Sequence, residues 1–360
     1  MGLMDDSYQF SELCKKYGNF EVPAAKLKIG GKDILEVKGI TVSQIQVKLS
    51  LHASGSATFI LSGGYDYKKS GFAGAVKDVA VLGKKVEVEL GYGSKTLLVF
   101  KGFLASVDVG FDVETGITFR ITAMDARRLM MTDNYHSVGY TEKKYSEIIE
   151  KILKRYSALC KAEVKASTVE LLEPVSQESS DYDFITGRLS EKENDGMEFF
   201  IVADTAYFRK KKENKAPVMS LGIGIGLKTF ERSIVYLDRE IEIQGDRGSG
   251  EKEILGKATA KGKEKQEKAL GDPGLTVIKM MDVKSDQEAK STAGAYAKAL
   301  EDENQQASGS CTGLPEIVPG RFLKIEGTDS MLDKKYYVTE VNHLIGQSGF
   351  LTSFEMNGWE

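Results

Sequence analysis

No apolar run in this 360-residue sequence approaches the roughly 18 residues that a membrane-crossing helix needs. The longest, Met197 to Ala203, is interrupted by Glu198. A secretory leader is also missing: MGLMDDSYQF is acidic where such a leader is basic and then apolar. Asp6 stands where a myristoylation signal needs Ser or Thr. The expected site of synthesis and residence is therefore a cytosol. Cysteine is scarce. Cys14, Cys160 and Cys311 are far apart, odd in number and form no C-x-x-C, which argues against a disulfide framework or a zinc site. They read as small buried apolar residues. Histidine is equally thin: His52, His136 and His343 fall in three different elements with no Ser, Cys or metal-ligand neighbour. No H-E-x-x-H, G-x-S-x-G or EF-hand loop is present. Positive charge is not in excess either. Forty-nine basic against 53 acidic residues leave a net charge of -4, which gives no ground for stable binding to nucleic acid or anionic membrane. Proline occurs 6 times and glycine 37 times, many of the glycines between alternating segments, as turns in a strand-rich fold require.

What the sequence does have is alternation. After a weak helix signal (Tyr8, Leu13, Tyr17, ended by Gly18), the apolar period becomes two from Val22 onward. KLKIGGKDI carries a Gly30-Gly31 hairpin signal, and ITVSQIQVKLSL alternates Val42, Ile45, Val47 and Leu49 with polar residues. Further alternating segments run to about Asp125 and read as an antiparallel barrel or sandwich. A helical block follows, YTEKKYSEIIEKILKRYSAL, with Thr141 as N-cap candidate and Tyr145, Ile148, Ile149, Ile152 and Leu153 at helical spacing. Alternation resumes near Ser233. GKATAKGKEKQEKALGDPG reads as a loop, DQEAKSTAGAYAKALEDENQQA as a helix with Ala293, Ala297 and Leu300 on one face, and the last three segments as strands.

The two β regions match one another. Gly83, Val86 and Val88 correspond to Gly320, Leu323 and Ile325; Val107 to Val341; Ile117, Phe119 and Ile121 to Phe350, Thr352 and Phe354. The expected fold is α+β but mostly β: two related antiparallel β-barrel-like domains flanking an α/β insert. Boundaries fall at 1–20 for an N-terminal segment, 21–130 for the first β domain, 131–230 for the insert, and 231–360 for the second β domain with an inserted helix near 286–306.

Chemistry is hard to find. LGIGIGLKTF places Gly222, Gly224 and Gly226, but a dinucleotide fingerprint needs its third glycine where Leu227 stands. GEKEILGK and GKATAKGK are too widely spaced for a phosphate loop and lack the Ser or Thr that holds magnesium. The basic run 209–215 and lysines 257, 261, 263, 265 and 268 read as solvated loop charge, with an acidic partner protein as the sharper alternative. The densest acidic stretch, QESSDYDFITGRLSEKENDGMEFFIV, looks at first like an active site. Ser180 is a good N-cap with Asp183 three residues on, and Asp181 lies in the first turn, where a carboxylate is favoured. On a helix Asp181 and Asp183 point about 200° apart, so they cannot share a substrate. Glu191, Glu193, Asn194 and Asp195 form a polar helix exit. No catalytic, cofactor-binding or metal-ligating residue is assigned.

The same stretch, a Gln followed by acidic-capped Asp-Tyr-Asp-Phe, the helix ITGRLSEKEN, Gly196 and an apolar strand, resembles the phage late control gene D family. FKGFLASVDVGF, ITFRITAMDARRLM, TGLPEIVPGRFLKIEG and YYVTEVNHLIGQSGFLTSFEM resemble other family segments in the expected order. Members are tail hub proteins of contractile phages, and the hub part of type VI secretion spike proteins is similar. The resemblance implies a non-enzymatic homotrimer whose six β domains adapt a six-fold tail tube to a three-fold spike and line a delivery channel. Its partners would be the tube protein, a separate central spike chain and other baseplate proteins. It would assemble in the bacterial cytoplasm and end in a phage tail or phage-like particle. A tail-associated cell-wall hydrolase and a β-rich ligand-binding module remain as alternatives.

Overall fold

The computed structural model describes residues 2–37, 39–63, 65–66, 68, 70–72, 74–114, 116–132, 138–167, 170–171, 173–189, 196–245, 254–267, 271–280, 283 and 285–359. A short helix, α1 (Phe10–Lys16), precedes the first β unit. That unit contains β1 (Pro23–Ile29), β2 (Lys32–Asp33), β3 (Ile40–Ser50), β4 (Ser56–Gly63), β5 (Tyr65–Asp66), β6 (Gly71–Phe72), α2 (Gly74–Val79), β7 (Lys85–Tyr92), β8 (Lys95–Asp112) and β9 (Gly116–Met124). Gly30 and Gly31 both have positive φ, 58° and 83°, and turn β1 into β2 as the hairpin signal required. Alternate residues of the longer strands point inward. Ile45, Val47 and Leu49, then Ala57, Phe59 and Leu61, then Val86, Val88 and Leu90, are buried.

The insert comprises α3 (Ala126–Met130), β10 (Val138–Tyr140), α4 (Tyr145–Leu153), β11 (Lys161–Val164), β12 (Val175–Gln177), α5 (Asp181–Gly187), β13 (Met197–Val202) and β14 (Thr205–Lys210). It has its own core, built on Ile148, Ile149 and Ile152 of α4 against Phe199, Ile201 and Phe208 of the β sheet. The helix α4 begins at Tyr145 rather than beside Thr141, because the Glu147 carboxylate accepts the backbone N–H groups of Lys143 and Lys144 (3.1 and 3.2 Å).

The second β unit contains β15 (Pro217–Ile223), β16 (Gly226–Arg232), β17 (Asp238–Gly245), β18 (Ile254–Lys261), β19 (Gly274–Met280), α6 (Asp286–Glu303), β20 (Gln306–Thr312), β21 (Phe322–Ile325), β22 (Lys335–Gly346) and β23 (Gly349–Trp359). Strands β22, β21, β15, β16, β20 and β23 close into a six-stranded barrel, since β22 also pairs with β23. β15 and β16 therefore belong to this barrel, although the sequence boundary at 230 falls inside β16. The inserted helix expected near 286–306 ends at Glu303 and does not stand alone. With β17, β18 and β19 it forms a separate layer whose core includes Ile241, Ile243, Ala289, Ala293 and Ala297.

The two β units are the same object built twice. In sheet order, β1-β7-β8-β9-β4-β3 matches β15-β21-β22-β23-β20-β16, and the chain visits each set in the same sequence. Gly83 (φ 80°) gives its N–H to Leu104 O, and Leu104 N–H returns to Lys84 O, at 2.9 and 2.8 Å. Gly320 (φ 83°) and Val338 repeat this, with Val338 N–H bonding Arg321 O, both at 2.9 Å. The register of β8 against β9 slips between Leu104 and Ser106, and that of β22 against β23 between Val338 and Glu340. These are equivalent bulges. One strand departs from the repeat: β1 runs antiparallel to β7, whereas β15 runs parallel to β21, so the second barrel is not purely antiparallel. The units join in one continuous sheet through six β3–β22 pairs, from Ile45↔Ile345 to Ser50↔Glu340.

Candidate functional site

The acidic stretch forms a polar network around the buried carboxylate of Asp181. Ser180 Oγ accepts the N–H of Asp183 (3.1 Å) and donates to Asp183 Oδ2 (2.7 Å). Asp181 is buried and accepts from Arg155 Nη1 (2.8 Å), Tyr156 Oη (2.7 Å) and Gln177 Nε2 (2.7 Å). Burial, then the bond to Asp181, pushes the Tyr156 phenol well above its usual range. This carboxylate does more than face a helix dipole: it fastens α5 to the end of α4 and to β12. Glu191, Glu193, Asn194 and Asp195 lie outside the described residues.

Two further buried charge clusters fasten the units together. Asp125 caps α3, accepts Gly55 N–H at 2.7 Å and pairs with Arg127 at 2.7 Å, while Arg127 also reaches Ser50 O at 2.8 Å. Glu198 of β13 accepts from Arg209 Nε (3.1 Å) and Tyr337 Oη (2.7 and 2.8 Å), and Arg209 also donates to Gly320 O. Burial raises both the Glu198 carboxyl and the Tyr337 phenol, and the adjacent Glu198 charge raises Tyr337 further.

The other residues singled out from sequence are scattered. His343 is buried, contacts Thr352 Oγ1 at 2.9 Å and is pushed down to about 3 by burial; His52 is exposed, and His136 lies outside the described residues. Cys160 and Cys311 are buried and Cys14 is half-buried. Gly222, Gly224 and Gly226 form the corner between β15 and β16. A Cβ on Gly226 would lie 2.3 Å from the Phe10 ring. Residues 256–261 are strand rather than loop, and Lys257 there pairs with Glu240 and Glu242 at 2.8 Å each. Among the described residues no group of three or more His, Cys, Asp or Glu is placed to hold a metal ion.

A shallow polar trough of about 620 Å³ runs across the outer faces of β3, β22, β23, β20 and β16. Its floor carries Gln46, Lys48, Thr229, Ser308, Ser310, Asn342 and Ser353, with Glu231, Glu340 and Glu355. Gln46 Nε2 donates to Asn342 Oδ1 (2.9 Å), and the hydroxyls of Thr229 and Ser310 are 2.7 Å apart. Burial, then the Glu355 charge, raises Glu340. A second depression of about 560 Å³ shares Glu231, Ser308 and Glu355 and extends the trough toward His52 and Asn357. Short hydroxyl and amide side chains with one sign of charge in excess give an apolar ligand little purchase. Sequence reading did not single these residues out. The available signal was the polar half of the alternation in QASGSCT and FLTSFEMN.

The family described as Alg8 N-terminal domain matches residues 19–347. No curated protein matches the sequence. Among solved structures, the fold is similar to the 43 kDa tail protein of prophage MuSo2 from Shewanella oneidensis, with a TM-score of 0.68 over 92% of this chain and 97% of that one, at 16% identity. The tail protein from Neisseria meningitidis MC58 gives a TM-score of 0.66 over 93% and 96% of the two chains at 10% identity. The E. coli c3393 protein, described as a type VI secretion component similar in structure to the T4 tail proteins gp27 and gp5, gives 0.53 over 93% and 77% at 12% identity. The fold is thus the phage tail fold that the resemblance implied.

Proposed function

The chain belongs to the Alg8 N-terminal domain family, and from its tail-protein fold we propose that it is a structural hub of a contractile tail or phage-like injection particle. It forms a homotrimeric ring between a six-fold tail tube and a three-fold spike. The observation that carries this reading is the internal duplication: two β units with the same strand order, the same glycine turn and the same bulge. Three such chains place six similar units in a ring, while everything present once per chain occurs three times. The polar trough lines the delivery channel, where small hydroxyls and carboxylates keep a passing polymer from sticking. The role is non-enzymatic: the buried carboxylates of Asp125, Asp181 and Glu198 are each committed to structural partners. Partners are the tube protein, the central spike and other baseplate proteins, met during assembly in the bacterial cytoplasm. Mass measurement of the purified protein, with protein composition of isolated tail particles, tests this. A trimer that is also a particle component supports it; a strict monomer absent from particles overturns it.

A further inference from the structure

Among the described residues, two strand edges lack the strand partner that their counterparts have. At the internal junction the second half of β22 pairs with β3: Val341↔Leu49, His343↔Val47 and Ile345↔Ile45. Leu49, Val47 and Val341 are buried there. Through the repeat, Val341 corresponds to Val107, His343 to Val109 and Ile345 to Phe111, because each pairs with an equivalent residue: Phe354 with Ile121, Thr352 with Phe119, Phe350 with Ile117. The first half of β8 pairs with β7, and Leu104 still bonds Gly83 and Lys84; beyond Leu104, among the described residues, β9 alone accompanies it. On the other side, Ile45 pairs with Phe59, itself opposite Ile121; Phe230 pairs with Gly309, itself opposite Phe354. Phe230 is therefore the counterpart of Ile45, and Ile234 that of Leu49.

These two edges carry apolar side chains into solvent. Val109 is 56% and Phe111 69% exposed on β8, and Ile234 and Val235 are 46% and 50% exposed just beyond β16. Exposed apolar edges of this kind invite strand addition. We propose that the outer half of β8 in one chain pairs antiparallel with residues 230–234 of a second copy, in the register of the internal β3–β22 junction. The pairs are Phe111 with Phe230, Val109 with Arg232, and Val107 with Ile234. Asp108 of one copy and Glu231 and Ser233 of the other then face the same way as Asn342, Gln46 and Lys48, so the polar trough continues across the seam. Because the two edges differ, the contact is head-to-tail, and repeating the internal step closes a ring. This rests on the trimeric reading above and adds its contact surface and register.

Disulfide trapping tests it in a Cys14→Ser background, where the remaining cysteines are buried. Val107→Cys and Ile234→Cys, made as separate variants and mixed, are expected to link across chains on oxidation. The double variant is expected to give covalent trimers. Val107→Cys mixed with Val235→Cys, whose side chains leave opposite faces of the strand, is expected not to link. As a second arm, Val109→Lys with Phe111→Lys alters residues exposed in the single chain, so its unfolding midpoint should match the parent while association weakens about 100-fold or more. A trimer that persists in the lysine variant and does not link at 107–234 overturns the edge pairing and leaves the ring standing. A parent protein that remains monomeric, in solution and in assembling lysate, overturns both.

Discussion

Gly83 and Gly320 occupy the same turn with almost the same φ, yet a methyl group would meet different surroundings. Around Gly83 nothing lies within 4 Å of the added Cβ, whereas at Gly320 the Phe200 ring is at 2.8 Å and Arg209 Nη2 at 3.0 Å. Gly83→Ala should cost about 1–2 kcal/mol, the strain of a left-handed residue alone. Gly320→Ala should cost roughly 2–4 kcal/mol, because a packed ring and a buried guanidinium must also move. Urea unfolding of the two variants measures the difference, and equal costs would show that the insert yields freely. A second residue-scale expectation concerns His343. Burial lowers it from 6.5 to about 3. Above pH 6.5 neither state is charged. As pH falls below 6.5 the unfolded chain takes up the proton while the folded chain does not, so stability falls continuously toward pH 3. By pH 5 the loss is about 2 kcal/mol. His343→Gln should flatten that slope between pH 7 and 5 relative to the parent, and an unchanged slope would count against it.

Among elements, the ones legible in sequence were those whose local signals agree with their packing. The helix at Ser180 was readable because its cap, the Ser180 hydroxyl on the Asp183 N–H, lies within one turn of sequence. The strand β18 was misread as loop because Gly256 and the flanking lysines have loop composition. Its reason is tertiary: a Cβ there would lie 2.1 Å from the backbone of Ala289, so glycine lets α6 lie close on the sheet. The reversed direction of β15 was illegible for a related cause. Alternation reports which face is buried but not which neighbour a strand takes or which way it runs. The trough was missed because a polar half-strand looks the same in any solvated sheet. The Glu198–Arg209–Tyr337 cluster, drawn from the β13–β14 hairpin and from β22, fastens the insert to the second barrel and gives an element-scale expectation. Arg209→Met should destabilise by about 3–5 kcal/mol, since it strips a buried carboxylate of its counter-charge. Adding Glu198→Gln should recover part of that loss. Limited proteolysis should cut the insert before the barrels in the single variant, and additive losses in the double variant would show that the pair is not coupled.

At the scale of the whole molecule, the duplication divides the chain into what occurs twice and what occurs once. The layer of β17, β18, β19 and α6 occurs once. It occupies the connection between β16 and β20, whose counterpart in the first unit, between β3 and β4, is only residues 51–55. Its core is separate from that of the barrels. The strands it interrupts stay together without it, since Arg232 pairs with Ala307 and Ser233 N–H bonds Gln306 O at 2.9 Å. Among its ties to the rest are ion pairs of Arg232 with Glu264 and of Lys212 with Asp302. The Lys212 pair, partly solvated, contributes on the order of 1 kcal/mol. Excising residues 237–303 and joining Tyr236 to Asn304 through a short glycine-serine linker should therefore leave both β units folded, because the repeat already closes the same corner with a short loop. The shortened chain should keep the β-rich circular dichroism of the parent, unfold within a few degrees of it, and still link at Val107→Cys and Ile234→Cys. If it aggregates or loses cooperative unfolding, the layer is part of the barrel's own support. If it folds but no longer associates, the layer itself holds neighbouring chains, and the strand edges alone do not build the ring.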